Sequence, residues 1–127
     1  MPPPPIRIDR LSQAQALFAG LARSEREVAG VAYIGTDAQV LGLRVIAGGP
    51  DQVSVPPRTL TLDALAFGAE SVIVAHNHPS GDPAPSRHDL EHARALAQAL
   101  ALVKVRLLDH LIVTAGAVTS LRAMGVV

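Results

Sequence analysis

Apolar positions along the chain switch between two periods, and the switches outline its elements. Leu11, Ala14, Leu17, Phe18 and Leu21 recur at helical spacing, which predicts a first helix from Leu11 to about Ala22. Val28 to Ile34 and Val40 to Ile46 are apolar runs joined by Gly35-Thr36-Asp37-Ala38-Gln39, the pattern of an antiparallel hairpin. Gly48-Gly49-Pro50-Asp51 is a second break, after which Val53 to Val55 is expected to add a short edge strand. Pro57 to Ala69 predicts a helix with proline in its first turn, leading through Gly68 into the β-branched run Ser71-Val72-Ile73-Val74-Ala75, a buried strand. Pro79, Gly81, Pro83 and Pro85 can continue neither a ladder nor a helix, so they form a loop, and their prolines argue for a stiff rim. Leu90, Ala93, Leu96, Ala97 and Leu100 then return to helical spacing, predicting a long helix from Ser86 to about residue 101. Lys104 to Leu108 and Leu111 to Thr114 read as two more strands, followed by a turn at Ala115-Gly116-Ala117.

Helices interspersed among strands that include a hairpin predict an α/β chain with a mixed sheet covered by helices. At 127 residues and 49% hydrophobic content there is material for one core. The expected organisation is a flexible Pro-rich tail over 1–10, with Pro2 to Pro5 extended or in polyproline II, and a single domain over 11–127. Cysteine is absent, no charged-then-apolar leader opens the chain, and no apolar run reaches transmembrane length, so a cytoplasmic protein with no membrane partner is expected. Lys plus Arg equal Asp plus Glu at 11 each, and Phe18, Tyr33 and Phe67 offer no stacking platform; direct nucleic-acid binding is not expected. Nothing in the pattern indicates an oligomeric state.

The candidate chemistry sits where the buried strand meets the long helix. In extended backbone His76 and His78 project to one side, able to converge on one ion, while Asn77 points away. Two readings compete at Asp89. Ser86-Arg87-His88-Asp89 resembles a capping box, which needs no metal. Alternatively Asp89 completes a two-histidine, one-carboxylate set with solvent in the fourth position, as catalytic zinc requires. His88 and His92 are spaced to share a helical face, but His88 lies about 100° around the helix from Asp89, and surface placement is expected for both. Asp109-His110 offers a carboxylate and an imidazole that could support a metal ligand or take part in catalysis. Neighbouring strand residues point to opposite faces, which favours a structural role at the strand junction.

His76-Asn77-His78-Pro79-Ser80-Gly81 followed by Pro85-Ser86-Arg87-His88-Asp89 resembles the JAMM signature of the JAB/MPN metalloprotease superfamily, and more narrowly the RadC family. The likeness extends to Glu25-Arg26-Glu27-Val28, to Arg106 through Ile112 and to Ser120 through Gly125, spanning about residues 25 to 127. It implies a cytidine-deaminase-like three-layer α-β-α sandwich. It also implies Zn2+ held by His76, His78 and Asp89, with Glu27 as general base and Ser86 steadying the polarised water or developing oxyanion. By context alone Glu27 is an ordinary glutamate at the start of a strand; the resemblance singles it out. The implied activity is hydrolysis of a peptide or isopeptide bond by a metal-activated water. The alternative is a non-catalytic JAB-fold interaction module of a DNA-repair-associated protein. The chain departs from the family at Arg58-Thr59, where Arg-Glu is usual, and at Ala29, where an aromatic residue is common. The family's N-terminal helix-hairpin-helix region has no counterpart in the proline tract and single helix.

Overall fold

The structure is a computed structural model that describes residues 6–48 and 55–127. Its helices are α1 (Leu11–Phe18), α2 (Pro57–Phe67) and α3 (Arg87–Leu102). Its strands are β1 (Val28–Ile34), β2 (Val40–Ala47), β3 (Ser71–Asn77), β4 (Arg106–Val113) and β5 (Val118–Ser120). The strands form one sheet in the order β2-β1-β3-β4-β5, parallel between β3 and β4 and antiparallel elsewhere. α3 is the crossover that the parallel pair requires.

Period-two alternation sorts the sheet's residues into two apolar layers. Val31, Tyr33, Val72 and Val74 pack with Leu60 and Ala64 of α2 and Leu96 and Leu100 of α3. Ala32, Ile34, Ile73 and Ala75 face the other way, onto Ala14 and Phe18 of α1. The result is the expected three-layer α-β-α sandwich. β1 and β3 are buried on both faces, which is why their sequences read as unbroken apolar runs. α2 begins at Pro57 because proline suits the first helical turn, and it ends where Gly68, at φ 68°, takes the left-handed conformation that closes helices.

Four expectations need correction. Residues 6–10 are not a free tail: Ile8 is buried against α1, Ile8 N donates to Ala38 O, and Val40 N donates to Ile6 O. The first helix stops at Phe18 and continues as a 3-10 turn over Ala19–Arg23. The two strands expected at 104–108 and 111–114 are one strand, β4, with a bulge: Val72 pairs with Leu107 and Ile73 with Asp109, leaving Leu108 extra. β5 was not expected at all. The strand expected at Val53 to Val55 falls mostly outside the described residues, and Val55 itself is buried outside any strand. Residues 1–5 and 49–51 of the proline tract and the second break lie outside as well. Among the described residues, no helix is long and apolar enough to cross a membrane.

Candidate metal centre

His76 lies at the end of β3 and His78 directly follows it, and Asp89 occupies the first turn of α3. The loop between them is tied down by its own backbone. His78 N donates to Val113 O on β4, and Thr119 Oγ1 donates to Pro83 O. Gly81, at φ 84°, lets the chain double back so that the Asp82 carbonyl meets His78 Nδ1 at 2.9 Å. A carbonyl can only accept. The His78 proton therefore sits on Nδ1, leaving the Nε2 lone pair for the site.

Three side chains converge. His76 Nε2 lies 3.1 Å from His78 Nε2 and 3.2 Å from Asp89 Oδ1, and His78 Nε2 lies 3.1 Å from Asp89 Oδ2. Ligands about 2.0–2.1 Å from a tetrahedral zinc stand about 3.3 Å apart, so a set of this size and donor chemistry fits the ion. Among the described residues these three form the cluster of metal-ligating side chains.

Asp89 is also the helix cap. Ser86 N donates to Asp89 Oδ2 at 2.8 Å, and Asp89 N donates to Ser86 Oγ at 3.1 Å, a complete capping box. The two readings are one arrangement: the cap bonds aim the carboxylate at the imidazoles. Burial alone pushes Asp89 upward, yet hydrogen bonds from His76 and from Ser86 hold it well below the usual carboxylate range. It is anionic, as a ligand must be.

Glu27, Ser86, His78 and Asp89 line one cleft of ≈ 560 Å³, with Pro79, Ser80 and Asp82 on its rim. Glu27 is half-buried at the entry to β1. Its backbone is anchored on both sides: Glu27 O accepts from Gly48 N, while Val28 N donates to Asn77 Oδ1 at 2.7 Å. Asn77 Nδ2 donates to Ser24 O and Arg26 O. As alternation requires, Asn77 points away from the histidines, and it clamps the 24–28 segment to the end of β3. Sequence reasoning assigned it no task, because its partners lie about fifty positions earlier.

His110 is the other residue whose place was missed. Its Nε2 lies 2.8 Å from His76 Nδ1, with the rings edge to face, and burial, then the neighbouring His76 and His92, push it down to about 3. Asp109 faces the opposite layer. Its carboxylate accepts from Ser120 Oγ at 2.6 Å, Arg122 N at 3.1 Å and His110 N at 2.7 Å, pinning the turn after β5. The opposed faces were expected; the contact of His110 with a candidate ligand was not. His92 corrects another expectation, since it is half-buried and its Nε2 accepts from Val55 N at 3.2 Å, while His88 is exposed and stacks on it. Burial, followed by His88 and His76, holds His92 below the ordinary imidazole value.

A mixed sheet between helical layers, with two histidines at a strand end facing a helix-capping aspartate, defines a JAB/MPN-type domain. The chain belongs to the RadC-like JAB domain family, whose model matches residues 8–126. It is 43% identical over 106 residues to a UPF0758 protein of Methylibium petroleiphilum, covering 83% of this chain and 48% of that one. A UPF0758 protein of Carboxydothermus hydrogenoformans is 35% identical over 104 residues, covering 81% and 46%. One of Cellvibrio japonicus is 40% identical over 110 residues, covering 86% and 49%. The chain thus spans about half the length of the curated relatives it matches.

Proposed function

We propose that the chain is a zinc-dependent hydrolase of peptide or isopeptide bonds, with His76, His78 and Asp89 holding the metal. The observation that carries this reading is the convergence of two imidazole nitrogens, 3.1 Å apart, on the two oxygens of one carboxylate at 3.1 and 3.2 Å, beside a cleft that also contains Glu27 and Ser86. Zinc held there would supply a Lewis acid that lowers the pKa of water to about 7 and polarises a carbonyl.

The protein's own groups divide the remaining work. Glu27 accepts a proton from water in the cleft as the water oxygen bonds to the carbonyl carbon. It then delivers that proton to the nitrogen that leaves when the C–N bond breaks. Ser86 Oγ already accepts from Asp89 N, so its own O–H is left to donate to the oxygen on which charge develops. Asp82 O and the capping box keep His78 and Asp89 from turning aside.

A cleavage screen over peptide and isopeptide substrates, run with zinc analysis, tests this reading. Glu27→Gln should keep zinc and fold while turnover falls by roughly 10²- to 10⁴-fold. Equal turnover at equal zinc content removes Glu27 as the base. A wild-type protein that holds zinc yet cleaves nothing across the screen favours the interaction module.

A further inference from the structure

We infer that His110 is a positioning residue: when a cation takes the place of the proton through which His76 Nε2 bonds Asp89 in the metal-free chain, His110 accepts the Nδ1–H of His76 and so keeps the freed Nε2 lone pair turned toward His78 and Asp89. The inference rests on the proposed metal site and explains how one of its ligands is prepared. His78 has a carbonyl to fix its tautomer. His76 is 5% exposed and among the described residues meets no carbonyl or carboxylate at Nδ1; its partner there is another imidazole, His110 Nε2, at 2.8 Å. Once His76 Nε2 gives its lone pair to a cation, the ring's single proton lies on Nδ1, and His110 Nε2 has to accept it.

The bulge in β4 is what brings His110 into range. Leu107 packs in the layer of α2 and α3, and strict alternation would send residue 109 to that layer and residue 110 to the layer of α1. The extra residue at Leu108 resets the phase. Leu108 and Asp109 both line the hollow beside Ile8, Leu11 and Ala14, and His110 crosses to the face of His76. Packing alone does not account for an imidazole at this place. With Nε2 accepting, the proton of His110 lies on Nδ1, a buried atom with no hydrogen-bond partner among the described residues. An orphaned buried donor destabilises a fold, and an apolar ring would not carry one.

The test is zinc affinity of the metal-free chain by chelator competition, for wild type, His110→Phe and His110→Gln, with thermal unfolding alongside. A lost supporting partner typically weakens metal binding by about 10- to 100-fold, so His110→Phe should lose that much while His110→Gln, whose amide oxygen can accept, recovers most of it. A structural role predicts a different pattern: unfolding temperature drops in His110→Phe, zinc affinity of the folded protein holds, and the amide gives no rescue. In the zinc-loaded wild type, imidazole ¹⁵N spectra should show both His76 and His110 carrying their protons on Nδ1. Zinc bound equally by wild type and His110→Phe, or His110 protonated on Nε2 in the loaded protein, overturns the inference and leaves the metal site standing. A wild type that takes up no zinc overturns both.

Discussion

Between the two histidines, Asn77 uses its amide on the backbone that leads into the neighbouring strand β1, accepting from Val28 N and donating to Ser24 O and Arg26 O. It is 1% exposed, so each bond is made where water cannot replace it. An aspartate would still accept from Val28 N but would turn its second oxygen on two carbonyls. Asn77→Asp should therefore lose about 1–3 kcal/mol in urea unfolding. It should also lower turnover by loosening the segment that carries Glu27. Unchanged stability would mean that the 24–28 segment is held by something else. Alternation along β3 was enough to predict that Asn77 leaves the metal face. What it meets there depends on a long-range pairing, and no local pattern encodes it. His110 was hidden for a related reason: the face a strand residue takes follows from counting, and one bulge changes the count.

At the scale of elements, α3 was the most legible part of the chain, since its apolar period runs from Leu90 to Leu100 and Ser86 marks its start. Capping by Asp89 and the proposed ligation do not exclude each other. A carboxylate has two oxygens and several lone pairs, and here Oδ2 accepts from Ser86 N while both oxygens face imidazoles. Ser86→Ala should cost about 0.5–2 kcal/mol of stability, the usual loss of a cap. Because Ser86 N still holds Asp89, zinc affinity should fall less than when Asp89 itself is changed. A Ser86→Ala protein that binds zinc as poorly as an Asp89 variant would show that the hydroxyl supports the metal directly. β4 was harder to read, its polar Asp109-His110 pair looking like a break between two strands. In the fold both side chains are buried and satisfied within a single bulged strand, apart from His110 Nδ1.

Over the whole molecule, the mixed sheet and its helical cover follow from patterns visible in the sequence: two apolar runs around a short turn, and helices interspersed among the strands. The parts that did not announce themselves are short and paired at a distance. β5 has three residues, and residues 6–8 add only a bridge to the start of β2. The candidate site draws on several of these elements, taking its candidate ligands from the end of β3 and from α3, the support of His76 from β4, and Glu27 from the approach to β1. Everything else in the functional account depends on whether His76, His78 and Asp89 bind one ion together. The direct measurement is a zinc titration of the metal-free protein, wild type against Asp89→Asn, following bound zinc and unfolding temperature together. One zinc per wild-type chain with a rise in unfolding temperature is expected, because a ligand that binds only the folded state stabilises it. Asp89→Asn keeps much of the cap's shape but removes the anionic ligand, so affinity should drop by more than about 100-fold, beyond the usual effect of a merely supporting residue. No zinc bound by the wild type, or the same affinity in Asp89→Asn, would contradict the account.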